Sequence, residues 1–323
     1  MSVSILSPVQ VLEKLKAKSY PAQSFYLAMY STWWGGVVTE PGLMFVPVDD
    51  HLVHRGDGVF EAIKVLSGKI FLLDEHLARL QSSAQSIGLT LPMSIAEIKS
   101  VIISTTVATE VREAMLRLYV SRGPGGFTTN PYDSVASQLY LIVTSFNPYP
   151  EGKYVQGVKV GRSQIPPKDP WLAQIKSCNY LSNVLMKKES VDRKLDFTIG
   201  LDAQGFITEG STENIVIVDA QKNLVRPRLR QILKGTTMMR AFDLAQRLQS
   251  SGLIRACEER DVSEKELMQA SEVMMIGTTL DVLPVTEYEG QKIGEGQPGP
   301  VARELRRLLV EDIERGPKAT PIY

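Results

Sequence analysis

Apolar and polar positions alternate along several stretches of the chain, and the period changes where glycine, proline or a capping residue interrupts it. Val59 to Val65 is an alternating, β-rich run. Ser67-Gly68 supplies a turn and Lys69 to Leu73 returns, which predicts a hairpin. Leu77, Leu80, Ala84 and Ile87 then recur at helical spacing, with Asp74 placed to cap that helix. Ser94 followed by Glu97 is a capping-box pair for a helix carrying Ile98, Ile102 and Thr105. Nearer the start, Ser7-Pro8 supplies an N-cap and a first-turn proline, with Val11, Leu12 and Leu15 on one side. Strands are predicted at 114–121 and 137–145, parted by Gly-Pro-Gly-Gly at 123–126.

Asn147 to Gly152 contains two prolines and a glycine and breaks both periods, marking a linker. Beyond it the pattern predicts a strand at 157–163, a Pro-rich loop, a helix at 178–190, and strands near 196–201 and 213–218. A helix at 236–249, a strand at 254–260 and a short helix at 263–270 follow. Strands at 272–277 and 283–289 precede a last helix at about 300–314. Strands and helices mix without strict βαβ alternation, so an α+β architecture is expected. The expected division is an N-terminal domain over 1–147, a linker over 148–156 and a larger domain over 157–323, in keeping with about two domains for 323 residues.

Composition narrows the function classes. Thirty-six basic residues balance thirty-six acidic ones, which gives no electrostatic case for nucleic acid or an anionic membrane as partner. No 18-residue apolar run occurs, so no membrane span is expected. Two cysteines, Cys178 and Cys257, make no disulfide framework in a chain this long, which points to a reducing, cytoplasmic setting. The first residues lack a basic start followed by an apolar core, so no secretory signal is expected.

Some apparent motifs carry no chemistry. Gly294-Glu295-Gly296-Gln297-Pro298-Gly299 matches a dinucleotide fingerprint, but only 24 residues follow it, and a turn into the last helix is the better reading. Asp49, Asp50, His51 and His54 form the most metal-like cluster, and a hydrogen-bonding role outweighs a metal site there. No metal is expected.

Four segments stand out together: His54 to Glu61 with Glu75 to Leu80, Ile175 to Leu181, Ile207 to Asn214, and Ile232 to Thr237, the last echoed by Gly277-Thr278-Thr279. Lys176 follows apolar Ile175. A desolvated lysine there loses its proton readily and attacks an aldehyde, whereas a solvated side chain is the plainer alternative. Glu209 ends an apolar strand, as a projecting carboxylate or an exposed turn residue. Lys234-Gly235-Thr236-Thr237 opens a helix whose N–H groups and hydroxyls suit an anion, with Arg79 adding a charged fork, or it is a simple helix cap.

In this order and spacing the segments resemble the fold-type IV pyridoxal-phosphate enzymes, the class IV aminotransferases. The resemblance runs from about residue 30 onward. It is closest to the plant-type D-amino acid aminotransferase-like members, through Met29-Tyr30-Ser31 with Gly35-Gly36, Asp49 to Gly56, and Ile293-Gly294-Glu295-Gly296. It implies a small α/β N-terminal domain, a larger pseudo-barrel C-terminal domain, pyridoxal 5'-phosphate as cofactor and a homodimer. By the same resemblance Lys176 is the lysine that holds the cofactor's aldehyde, Glu209 meets its pyridine nitrogen, and Arg79, Thr236, Thr237 and Thr278 take its phosphate. Tyr180 bonds its phenolic oxygen and Leu233 packs on its ring.

Phe60 and Lys64 fall where the family lines its substrate pocket. The Arg-x-His pair of the bacterial D-amino acid enzymes is missing from Arg122 to Thr128, where Gly-Pro-Gly-Gly looks more like the lyase members. The branched-chain enzymes place a tyrosine where this chain has Arg55. Arg55, Lys64, Arg117 and Arg122 are therefore candidate carboxylate binders, and Thr279 a further substrate contact. The implied activity is transamination between an amino acid, D favoured, and a 2-oxo acid such as 2-oxoglutarate or pyruvate. 4-Amino-4-deoxychorismate lyase and branched-chain L-amino acid aminotransferase are the alternatives. Intact Lys176 and Glu209 argue against a non-catalytic binding protein.

Overall fold

The computed structural model describes residues 3–323, whose backbone divides into two compact units. One comprises the chain up to Ile70, Ala84–Phe146 and Pro321–Tyr323; the other comprises Phe71–Ser83 and Asn147–Thr320.

In the first unit a sheet runs in the order Lys69–Phe71, Gly58–Leu66, Ala114–Ser121, Gln138–Ser145, Tyr26–Ser31, Gly36–Val38. The expected hairpin is present, with Val65 opposite Ile70 and Leu66 opposite Lys69. Period-two alternation puts Val59, Ile63 and Val65 on one face, all fully buried. Phe60, Ala62 and Lys64 take the other face, opposite Tyr119, Arg117 and Met115. Helix Ile95–Val107 packs on this sheet through Ile98 and Ile102, and its start carries the expected Ser94–Glu97 capping box. Ser7 likewise caps Pro8–Ala17, but no residue of that helix is buried, so Val11 and Leu12 stay exposed.

The helix His51–Arg55 was not expected. Five residues are too few to show a period, and the helix owes its start to the Asp50 carboxylate, which accepts from the Leu52 N–H at 2.9 Å. Asp50 also accepts from the hydroxyls of Tyr140 and Ser121, each at 2.8 Å.

In the second unit the strands run Cys257–Glu259, Leu224–Arg226, Asn214–Val218, Glu272–Gly277, Asp281–Tyr288, Val158–Arg162, Phe197–Ile199, with Gln291–Lys292 paired to Asp281–Tyr288. Parallel and antiparallel pairs mix. Every residue of Asn214–Val218 is buried, which is why it reads as a continuous apolar run instead of alternating. Ile215, Ile217, Val273, Met275, Leu283 and Val285 form the centre of the core. Helices Thr236–Ser250 and Pro300–Arg315 pack together, and Arg240 grips Asp312 through two bonds of 2.8 and 2.6 Å.

Three local expectations change. Helix Leu73–Ser86 begins before Asp74, so Asp74 and Glu75 sit in its first turn, where acidic groups favour the positive end of the dipole, and Asp74 is not the cap. Six residues of the stretch read as linker are helical, Glu151–Gln156, because Tyr154 is buried and its hydroxyl donates to the Leu280 carbonyl at 2.9 Å. The two- and three-residue strands Gln291–Lys292 and Leu224–Arg226 went unseen, being too short for any period. Gly294, at φ +52°, lies in the turn before the last helix, as expected of the false fingerprint. Among the described residues no helix is long and apolar enough to cross a membrane.

Candidate functional site

Helix Leu73–Ser86 contributes His76, Arg79 and Ser83 at three- and four-residue steps, one side of the helix. Arg79 Nη1 donates to the Lys234 carbonyl at 3.1 Å. His76 stands between Arg79 and Thr236, with Nδ1 3.5 Å from the guanidinium and Nε2 3.3 Å from the threonine hydroxyl. Ser83 Oγ accepts from the Lys176 N–H at 3.2 Å. One helix thus holds both the 233–237 turn and the backbone of Lys176.

The turn opens helix Thr236–Ser250. Its N-cap, Gly235, offers no side-chain hydrogen bond, so the first-turn N–H groups have no cap acceptor. Thr237 Oγ1 lies 3.4 Å from Thr278 Oγ1, in the turn after strand Glu272–Gly277. A helix N-terminus, three hydroxyls and a guanidinium are groups whose chemistry suits a tetrahedral anion.

Leu233 is pinned on both sides: its N–H donates to Glu209 Oε2 at 3.0 Å and its carbonyl accepts from Asn214 Nδ2 at 2.9 Å. Asn214 also bridges backbone-to-backbone with Glu209. Glu209 is only partly exposed, not the open turn carboxylate of the plainer alternative. Burial pushes its carboxyl pKa up, against the Leu233 N–H and the attraction of Lys168 and Lys176. Tyr180, at the start of helix Leu181–Asp192, has Lys176 Nζ 5.8 Å and Lys168 Nζ 4.5 Å from its ring centroid.

Arg79, Lys176, Tyr180, Glu209, Leu233, Thr236, Thr237 and Thr278 all belong to the second unit. Their donor set fits pyridoxal 5'-phosphate: an anion cup, an amine for an aldehyde, a phenol, an apolar side chain and a carboxylate of high proton affinity. Lys168 and His76 were not singled out from sequence. His76 had a signal, being three residues from Arg79 on a helix. Lys168 lies in a loop between Pro167 and Asp169 and had none.

Among the first-unit candidates, Phe60, Lys64 and Arg117 share one sheet face. Phe60 stacks on Tyr119 at 5.9 Å between centroids. Lys64 is 2% exposed, with Nζ 5.5 Å from the Phe146 centroid, and Arg117 is half-buried. Arg55 is exposed and donates to the carbonyls of Phe127 and His54, each at 2.9 Å. Thr279 is an exposed turn residue of the second unit.

Arg122 is committed to structure. It forks onto Asp57 at 3.0 and 2.9 Å and donates to the carbonyls of Gly88 and Ile87. His51 Nδ1 lies 3.2 Å from Asp57 and His54 Nε2 3.2 Å from the Asp49 carbonyl, the hydrogen-bonding role expected of that cluster. No group of residues suited to a metal occurs among the described residues.

Residues 58–288 match the model of the amino-transferase class IV family. The chain is 38% identical to the chloroplastic D-amino-acid transaminase of Arabidopsis thaliana, over 99% of its own length and 85% of that protein. It is 33% identical to the D-alanine aminotransferase of Bacillus licheniformis, over 87% of its own length and 96% of that protein. In fold it superposes on the T.th. branched-chain amino acid aminotransferase crystallised with pyridoxamine 5'-phosphate. The TM-score is 0.86 at 24% identity, covering 92% of this chain and 99% of that one.

Proposed function

The chain belongs to the class IV amino-transferases, enzymes of the fold-type IV, α+β architecture that work with pyridoxal 5'-phosphate, and on that premise we propose that it moves the amino group of a D-amino acid to a 2-oxo acid. The preference for D-amino acids is supported by the two relatives named above, which span most of their own lengths. The observation that carries the site assignment is that four segments, from Arg79 to Thr278, converge within one unit on a cup, an amine and a carboxylate.

When bound, the cofactor supplies an aldehyde that takes up the amino group and a heterocycle that accepts the electron pair of the substrate's α-carbon. The chain supplies the rest. Arg79, Thr236, Thr237 and Thr278 anchor the phosphate and fix the ring's position relative to Lys176. Lys176 Nζ would hold the cofactor's aldehyde and, when free, would carry a proton at the substrate's α-carbon. Glu209 would meet the ring nitrogen, where its negative charge would favour a proton on that nitrogen. Tyr180 would donate to the phenolic oxygen, and Leu233, held from both ends by Glu209 and Asn214, would pack against the ring. For the substrate carboxylate we propose Lys64 and Arg117, with Phe60 beside them on the same sheet face; Arg55 and Thr279 are the lesser candidates. A cytoplasmic homodimer completes the reading, the compartment being supported by two unbridged cysteines.

The test is a panel of D- and L-amino acids against 2-oxoglutarate and pyruvate, with 4-amino-4-deoxychorismate alongside. Transfer from D-alanine or D-glutamate to the oxo acid, faster than from any L-isomer, is expected. Faster turnover of L-leucine, or formation of 4-aminobenzoate without an acceptor, overturns the proposal.

A further inference from the structure

Lys168 lies in the loop before helix Pro170–Ala173, partly shielded from solvent. Its ammonium forms no hydrogen bond or ion pair among the described residues and rests instead on the Tyr180 ring, 4.5 Å from the centroid. Lys176 Nζ approaches the same ring at 5.8 Å, so the two amines are at most about 10 Å apart, the two distances laid end to end. Ionisable groups around the pair include Tyr180, Glu209, Glu213, which acts on Glu209 and is itself acted on by Lys187, and along the chain Cys178 and Asp169, whose carboxylate accepts from the Trp171 N–H at 2.9 Å.

We propose that Lys168 is a positioning residue whose positive charge keeps the Lys176 nitrogen proton-poor, setting the pH at which that nitrogen loses its proton in the resting, cofactor-loaded protein. Two cations facing one ring repel, and the cheapest relief is for one to give up its proton. Glu209 acts on both amines, and its negative charge favours a proton on each, against the repulsion between them. Desolvation lowers the pKa of Lys168 itself, and the pull of Glu209 works to keep it charged.

The inference rests on Lys176 being the cofactor lysine. At about 10 Å, with effective dielectric constants from about 80 down to about 20, one charge moves a neighbour's pKa by about 0.3 to 1.2 units. The experiment is a spectrophotometric pH titration of the resting, cofactor-loaded protein, with borohydride trapping and peptide mapping of the attachment point. Lys168→Met should move the absorbance transition up by about 0.3 unit or more, while Lys168→Arg, which keeps the charge, should leave it near the wild-type value. Thermal melts of both variants separate this from a packing effect, since a merely structural lysine changes Tm and not the midpoint. A Lys168→Met midpoint equal to wild type overturns the inference alone. A wild-type protein that traps no cofactor at Lys176 overturns the reading beneath it.

Discussion

Gly235→Ala tests whether the anion cup depends on the close approach of two backbones. The φ of Gly235 is −64°, so the backbone tolerates alanine; the obstacle is space. A Cβ at this position would overlap the Asn214 side-chain oxygen and come within 3.1 Å of its Cγ. Asn214 is 6% exposed and its amide holds the Leu233 carbonyl, so it cannot step aside without breaking that bond. The lost bond costs about 1 kcal/mol and the overpacking about 1–3 kcal/mol, so Gly235→Ala should cost about 2–4 kcal/mol of stability. The displaced turn carries the first N–H groups of helix Thr236–Ser250, so the cofactor's dissociation constant should rise at least tenfold, about 1.4 kcal/mol. Denaturant titration and equilibrium binding of pyridoxal 5'-phosphate read both effects. A double-mutant cycle isolates the cause: Asn214→Ala removes the obstructing group, so the double variant should be hardly less stable than Asn214→Ala alone. Additive losses, or an unchanged affinity in Gly235→Ala, would refute the steric argument.

Two further outcomes follow from the geometry. Lys176→Ala should abolish turnover and leave no cofactor covalently trapped by borohydride, with mass spectrometry as the check; wild-type rates in this variant would reject the role given to Lys176. Arg122→Met should cost about 2 kcal/mol at neutral pH, since it leaves the half-buried Asp57 with only His51. The sign with pH is defined: burial pushes the Asp57 carboxyl up, but the Arg122 fork and His51 hold it below the ordinary aspartate range. The fork's contribution is therefore present above about pH 3.9 and lost as pH falls through the lower folded value, so the gap between wild type and variant should close in acid. A gap independent of pH would assign the loss to packing.

Signals that are local in the chain were legible in it. Ser94 with Glu97 reads as a capping box because both partners lie within one turn, and the structure has that box. The Phe60–Lys64 face follows from a period of two. What the sequence hid is what depends on distant partners or on very short elements. Arg122 looks like a carboxylate binder until Asp57, 65 residues earlier, is seen to occupy it. His51–Arg55 is helical through one aspartate cap, and Leu224–Arg226 has no room for a period. Lys168 carries no signal in the sequence, and only the fold brings its ammonium onto Tyr180.

Arg79 reaches the second unit by a detour: residues 71–83 leave the first unit, join the other, and return. Dissection of the gene at residue 147 would therefore discard the guanidinium and the histidine that brace the anion cup, and a fragment made that way should bind no phosphate ester. On the ribosome the same detour imposes a wait, because the arginine emerges about 200 residues before Thr278, the last threonine it must join.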